Sequence, residues 1–410
     1  MTNLGDREVH KLVEKYGSPF FITSADTIKS NLETFKSTFL KKYPKIIVAY
    51  SYKVNYLPEV LKVIHNKDAW AEVASGFEYQ IARKLNVPGD SIVFNGPYKT
   101  KEELQNAIDE GALINVDHVD EIEQLEQIAS ILGKNIDIGI RLNMGVGIDQ
   151  LPDRFGFNLE SGEASQVVAR CRENEVLNIV GMHVHLTSYI VEKDSEDNIP
   201  AKGIKLIWPK NHEAYCNASE KVVNFSIKMR KKYGLKIEYL DMGGGFPTVD
   251  GIDPYVDAIV APILDGFEER DLPTLILEPG RAIVSDAADL ITTVVAVKKL
   301  SGGQRAVIVD AGINLLPTSF WKFQDIESLN KSDDNLEETI VYGPLCLQTD
   351  IISKTNLPQL EAGDRLLVKN IGAYNIPQSS TFIYPQPTVL LKDGKNIKVI
   401  KKREEIKNIF

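Results

Sequence analysis

Residues 46–55 read Ile-Ile-Val-Ala-Tyr-Ser-Tyr-Lys-Val-Asn, an apolar run that ends at a single lysine, Lys53. A short continuous apolar run of this kind suits a strand buried on both faces, as in a parallel sheet. Seven more such runs follow, at 69–75, 92–96, 113–117, 137–142, 179–186, 237–242 and 274–278. Amphipathic stretches lie between them, among them 57–66, 101–110, 120–132, 212–233 and 253–268. In 120–132, Ile122, Leu125, Ile128 and Ile131 recur at helical spacing. Eight strands alternating with helices over about 250 residues predict an α/β fold, a TIM (β/α)8 barrel. The alternative is an open doubly wound sheet, which seldom reaches eight strands with this regularity.

Beyond residue 285 the texture changes. Helical periods mostly vanish, and runs at 290–297, 306–309, 338–342, 365–370, 388–391 and 397–400 read as strands. Turn signals, Ser301-Gly302-Gly303 and Asp393-Gly394, punctuate them. This part is expected to be a compact all-β domain. The polar stretch 330–335 and the acidic stretch 192–200 read as surface loops.

Composition narrows the function. The chain has 410 residues, 43% hydrophobic and 25% charged, with a net charge of −10, which argues against nucleic-acid or anionic-membrane binding as its main business. Three scattered cysteines, Cys171, Cys216 and Cys346, make neither a disulfide framework nor a zinc knuckle. The first residues are charged and lack the apolar core of a signal peptide, and no run of about 18 apolar residues occurs. A soluble cytoplasmic protein is expected.

In a TIM barrel, chemistry sits at the C-terminal ends of the strands. Here those ends carry Lys53, Ser75, Asn95, Arg141-Leu142-Asn143, His183 and His185 followed by Thr187-Ser188, Asp241-Met242-Gly243-Gly244-Gly245, and Glu278-Pro279-Gly280-Arg281. A lysine at such a mouth can form a Schiff base with an aldehyde cofactor. Three glycines let a backbone approach an anion with its N–H groups, and Ser188 can add a hydroxyl. His183 and His185, two apart on a strand, face the same side. No carboxylate accompanies them at ligand spacing in the sequence, so no metal is expected. One histidine stacking on a planar ring, the other packed and hydrogen-bonded, suits them better. Each feature alone has an ordinary explanation: a solvated lysine, a flexible turn, a salt-bridged surface glutamate. Together, a lysine for an aldehyde, a glycine nest for a phosphate and Glu278 for a ring nitrogen describe a pyridoxal 5'-phosphate site.

The ordered segments YSYKVN (50–55), EVASGFE (72–78), RFGF (154–157), HVHLTS (183–188), DMGGGF (241–246), EPGR (278–281), DAGIN (310–314), GPLCLQTD (343–350) and GAY (372–374) span nearly the whole chain. In them the chain resembles the fold-type III, alanine-racemase-type pyridoxal-phosphate enzymes, and within these the diaminopimelate and ornithine decarboxylase branch. The resemblance implies a decarboxylase of an α-amino acid or amino-acid conjugate that releases CO2 through a carbanion at Cα. It implies that Lys53 carries the cofactor, that His185 stacks on its ring and that Glu278 pairs with its pyridine nitrogen. Ser75, Ser188, Gly243, Gly244, Gly245, Gly280, Arg281 and Tyr374 complete the implied cofactor contacts. It further implies a homodimer with active sites at the interface, where the partner subunit's Cys346 protonates the carbanion. Residues 1–24 would join 286–410 in the β domain, leaving 25–285 as the barrel.

Two departures bear on substrate. Where the branch places a glutamate or aspartate after the cysteine to read a distal amine, this chain has Leu347. Where diaminopimelate enzymes place an arginine for the distal carboxylate, an ungapped count gives Thr318. Asp350 is grouped with these as a substrate-side residue. A desolvated ammonium needs a partner, so a neutral, apolar or conjugated side chain is expected, as in decarboxylases of siderophore and antibiotic pathways. The alternatives are a racemase on the same fold, against which Glu278 and Cys346 speak, and a non-catalytic binding homologue, against which the retained lysine, glycines, acid and cysteine speak.

Overall fold

In the computed structural model the described residues are 6–147, 153–186, 212–329 and 335–408. Residues 192–200 and 330–334, expected as loops, lie outside them, as does Ser188. The expected TIM barrel forms from the strands Ile46–Ser51, Trp70–Val73, Ile92–Phe94, Leu113–Val116, Ile136–Asn143, Leu177–His183, Tyr239–Asp241 and Thr274–Leu277. Each pairs in parallel with the next in chain order, and Thr274–Leu277 pairs back onto Ile46–Ser51.

The two-residue period of a strand dictates the barrel interior. Ala49, Val93, Tyr239 and Ile276 cluster there with Trp70 and Leu113, apart from the core that joins strands to helices. Gly139 and Gly181 leave room for the Tyr239 ring, which a Cβ at either position would strike. Two residues further along each strand the same face carries Ser51, Glu72, Asn95, Asn115, Arg141, His183, Asp241 and Glu278. An apolar plug thus supports a polar floor at the C-terminal end.

The helices obey local rules. Lys101–Glu110 opens on a Thr100–Glu103 capping box and closes on Gly111 at φ 79°. Gly76–Lys84, not separated by its apolar period, begins at Ser75, whose Oγ accepts the Glu78 N–H at 3.3 Å. A helix before the first barrel strand, Ala25–Leu40, buries Ile28, Leu32, Phe35 and Phe39 on one face.

The second sheet has nine strands. Its spine is Ala288–Lys299, which pairs early with Phe20–Ser24 and Arg365–Lys369 and later with Arg305–Val309, across a register shift between Val294 and Ala296. Phe20–Ser24 also pairs in parallel with Thr388–Asp393. The helix Asp6–Tyr16 packs Val9 and Leu12 onto Phe20, Ile22, Ile291 and Leu390. Asp325–Ser328 and Ile351–Leu357 are strands that the apolar pattern did not reveal.

The sheet docks on the barrel mouth. Asn55 Nδ2 donates to Gly372 O at 3.1 Å, and the Tyr374 N–H donates to Val54 O at 2.8 Å. Gly372 lies so close to Val284 O that a Cβ has no room. This approach sets Tyr374, at φ 65°, beside the turn that carries Lys53. Among the described residues, no helix is long and apolar enough to cross a membrane.

Candidate active site

The strand Ile46–Ser51 gives way to one 3-10 turn, Tyr52–Val54. Buried Tyr50 and Tyr52 anchor that turn: Tyr50 Oη donates to Asn55 O at 3.2 Å, and Tyr52 Oη lies 2.6 Å from His65 Nε2. Lys53 is therefore held out over the polar floor with 38% of its side chain exposed, open to reaction from the mouth. Its Nζ is 3.1 Å from Glu72 Oε2, a carboxylate with no exposed surface. Burial opposes the ammonium, but Glu72 and Glu278 outweigh it and raise Lys53 above the ordinary lysine range. Glu72 was not expected from the motifs, although an acid inside the apolar run Trp70-Ala71-Glu72-Val73 is itself a signal.

Glu278 lies at the centre of the floor, 1% exposed. Asn95 Nδ2 donates to both Glu278 Oε1 and Glu72 Oε1, tying the two acids together. Asn115 Nδ2 donates to Asn95 Oδ1 and Asp241 Oδ2, and Tyr239 Oη donates to Asn115 Oδ1. Burial opposes the Glu278 charge, yet His183, His185 and Lys53 hold it below the usual carboxylate range. Asp241 goes the other way: burial first, then the charge of Glu278, lifts it well above that range. The two neighbouring acids are thus pushed in opposite directions.

Both histidines face Glu278, at 3.8 Å from His183 Nε2 and 3.6 Å from His185 Nδ1. Burial lowers both, against the neighbouring Glu278, which raises them. His185 Nδ1 accepts the Gly244 N–H at 3.0 Å, which leaves its ring proton on Nε2. The expectation of a hydrogen-bonded second histidine is not met among the described residues, where neither ring nitrogen of His183 has a hydrogen-bond partner. The spacing argument against a metal also needs correcting, since folding brings ligand atoms of His183, Asp241 and Glu278 within 4.8 Å of one another.

Two of the three glycines use their N–H groups inside the protein. The Gly243 N–H donates to Asp241 Oδ1 at 3.0 Å, and the Gly244 N–H is taken by His185. A Cβ on Gly244 would meet Glu278 O and His185, and one on Gly245, at φ 92°, would stand 2.6 Å from Tyr215 Oη. Beside them Arg281 Nη2 donates to Gly245 O at 2.9 Å. Gly280, packed against Val54, starts the turn that presents Arg281.

The β domain contributes Tyr374, Thr318 and the turn 343–350. Asp350 does not face a substrate. It is 1% exposed, and its two oxygens accept the Ile313 N–H at 2.8 Å and the Leu345 N–H at 2.7 Å. It fixes the turn that presents Cys346 and Leu347, both exposed in the single chain. Thr318 is also occupied: its Oγ1 donates to Asn375 Oδ1 at 2.8 Å. It lines a cavity of about 230 Å³ with Arg281, Ser285, Trp321, Lys322, Asn370, Ala373, Tyr374 and Asn375. Thr318 stands where an arginine was expected, and Lys322, four residues on, lines the same cavity.

The residues present fit pyridoxal phosphate. An accessible amine, a carboxylate held ionised, an imidazole fixed by a backbone N–H, a glycine turn that any Cβ would fill and a cation beside that turn form the donor set this group needs. Comparison with known proteins agrees. Residues 26–198 and 209–285 match the family profile described as the pyridoxal-binding domain of pyridoxal-dependent decarboxylases. Diaminopimelate decarboxylase of Methanocaldococcus jannaschii is 30% identical, over 96% of this chain and 90% of its own length. That of Aquifex aeolicus is 30% identical over 96% of this chain and 91% of its own. The crystal structure of the M. jannaschii enzyme in complex with L-lysine superposes with a TM-score of 0.84 at 28% identity, covering 97% of this chain and 92% of that one.

Proposed function

The chain belongs to the pyridoxal-dependent decarboxylase family, and on that footing we propose how its own residues divide the work. It is a pyridoxal-phosphate-dependent carboxy-lyase that acts on a small-molecule amino acid. When bound, the cofactor supplies an aldehyde and an electron-withdrawing ring that accepts the electron pair left at Cα as CO2 departs. Lys53 holds the aldehyde carbon. Glu278 keeps a proton on the pyridine nitrogen. His185 would cover the ring face; Gly243, Gly244, Gly245 and Tyr374 would hold the phosphate together with Ser188, which lies outside the described residues, and Ser75, Gly280 and Arg281 would complete the cofactor contacts. The partner subunit's Cys346 delivers a proton to Cα, which explains why the turn bearing it is rigidly held yet exposed in a single chain.

The observation that carries this reading is the Lys53 ammonium, 3.1 Å from buried Glu72, at a floor where Glu278 is held below the usual carboxylate range. We assign 25–285 to the cofactor-binding barrel and 1–24 with 286–410 to the domain that covers its mouth, in a cytoplasmic homodimer. Leu347, where relatives of this branch place an acid, gives a distal ammonium no partner, so we assign a substrate without one. The test is an incubation of the holoenzyme with α-amino acids in deuterated water. CO2 and an amine carrying one deuterium at Cα support the reading. Deuterated amino acid with no CO2 would mark a racemase instead, and no reaction of any kind with an intact cofactor would mark a binding protein.

A further inference from the structure

The three-glycine turn is held from outside the barrel by a tyrosine hydroxyl. Tyr215, on the helix His212–Tyr233, is fully buried, and its Oη donates to Gly244 O at 3.0 Å. Its ring stacks on Phe246 at 5.5 Å and meets Tyr255 edge to face at 5.2 Å. Burial raises the hydroxyl above the ordinary tyrosine range, which keeps it a donor. The other two carbonyls of the turn are fixed as well: Gly243 O accepts the Glu278 N–H at 2.8 Å, and Gly245 O accepts from Arg281 Nη2 at 2.9 Å. A trans peptide is planar, with its C=O and N–H pointing opposite ways. Drawing Gly244 O toward Tyr215 therefore aims the Gly245 N–H away from the helix. Gly243 and Gly244 spend their N–H groups on Asp241 and His185, whereas among the described residues no group accepts the Gly245 N–H.

We propose that Tyr215 is a positioning residue, which locks the Gly244–Gly245 peptide with its N–H aimed at the cofactor's phosphate. This rests on the pyridoxal-phosphate reading above and deepens it. With no Cβ at either end, that peptide rotates at little cost. Its flipped form would present the Gly244 carbonyl to the anion in place of the Gly245 N–H. The Tyr215 hydroxyl opposes the flip by holding Gly244 O, and a hydrogen bond to the carbonyl polarises the peptide so that its N–H donates more strongly. Glycine and tyrosine require each other here. A Cβ on Gly245, which stands at φ 92°, would lie 2.6 Å from Tyr215 Oη, so only glycine lets the hydroxyl approach. The lock is anchored through Phe246, which directly follows the turn and packs edge to face on Phe35 at 5.2 Å and Phe39 at 6.0 Å.

The experiment compares the wild type with Tyr215→Phe, which keeps the ring and removes the hydroxyl. Ser219→Ala is the control: it removes a buried hydroxyl from the same helix, one that donates to Ile259 O at 2.7 Å and not to the turn. Equilibrium affinities for pyridoxal 5'-phosphate and for pyridoxal, which lacks the phosphate, are measured by absorbance, and thermal melting checks folding. The readout is the ratio of the two affinities. In Tyr215→Phe the preference for the phosphorylated form is expected to fall roughly 3- to 10-fold, the worth of one neutral hydrogen bond that biases the peptide. Pyridoxal affinity should stay within twofold of wild type, and Ser219→Ala should keep the wild-type ratio. An unchanged ratio in Tyr215→Phe, or an equal fall in Ser219→Ala, overturns the lock and leaves Tyr215 a packing residue. Hydrogen exchange on the wild type decides the case if Tyr215→Phe does not fold. Pyridoxal 5'-phosphate should protect the amides of 243–246 more than pyridoxal does, and equal protection overturns the aim of the Gly245 N–H. A wild type that binds both forms equally sinks the phosphate reading of the turn and the lock with it. That result is distinct from a wild type that prefers the phosphate and a Tyr215→Phe that prefers it as strongly, which sinks the lock alone.

Discussion

Replacing Glu72 with glutamine removes one charge from the floor and little volume. Lys53 Nζ lies 3.1 Å from Glu72 Oε2. At an effective dielectric of about 20, unit charges at that distance attract by about 5 kcal/mol. One pKa unit is about 1.4 kcal/mol, so the pair holds Lys53 up by at most about 4 units. With 38% of the lysine side chain open to solvent, screening cuts this, and a fall of about 1–2 units is expected in Glu72→Gln. Glu278 remains to hold part of the charge. Only the neutral amine attacks an aldehyde, so below the lysine pKa the reactive fraction should rise about 10- to 100-fold. The assay is the pH dependence of Lys53 modification by trinitrobenzenesulfonate in cofactor-free protein, followed by peptide mapping. Gel filtration and thermal melting check that the variant is folded. If the pH profiles of the two proteins coincide, Glu72 does not set the state of Lys53.

Glu278→Gln is expected to keep the cofactor bound and to lower kcat by a factor of about 100 or more, as when a preorganised charge is lost from an active site; a kcat within threefold of wild type refutes its role at the ring nitrogen. Cys346→Ala should slow turnover and divert part of the product to an aldehyde with the amine form of the cofactor; product analysis by mass spectrometry checks this, and unchanged rate and product contradict it. Glu78 gives a pH test of stability. Burial first, then the Glu72 charge, pushes its carboxyl from 4.5 to about 7, against the Ala74 N–H that it accepts. The folded chain then binds the proton more tightly than the unfolded one. Stability should therefore decline as pH rises from about 4.5 to 7, by at most about 3 kcal/mol. Melting temperatures of Glu78→Gln should fall less between pH 5 and pH 8 than those of the wild type, and parallel curves would refute the shift.

The barrel was legible because its eight strands are continuous apolar runs at regular intervals, and a two-residue period then names the floor residue by residue. Glu72, Asn95, Asn115, Arg141, His183, Asp241 and Glu278 all follow from stepping two positions past the apolar plug. What stayed hidden were relations between strands. Nothing in the sequence says that Asn95 bridges Glu72 and Glu278, that Asp241 and Glu278 are pushed in opposite directions, or that Gly243 and Gly244 spend their N–H groups inside the protein. Ile351–Leu357 escaped for a different reason: its middle, Ser353-Lys354-Thr355-Asn356, is polar and breaks the apolar run, while Phe20–Ser24, buried throughout, is a short apolar run that lies before the barrel and far from the rest of its sheet in sequence. Asp350 looked like a substrate contact because it follows the cysteine, whereas its carboxylate accepts the N–H of Leu345 in its own turn and that of Ile313, which lies far off in sequence. Lys322 lay beyond the motif that drew attention to Thr318.

The central claim is that Lys53 bears the cofactor. Borohydride reduction of the holoenzyme, proteolysis and peptide mass mapping test it most directly. The account expects a single pyridoxyl-lysine at Lys53 and none in Lys53→Ala, with loss of CO2 release. A reduced adduct at Lys322 or elsewhere in wild type, with Lys53 unmodified, would contradict it.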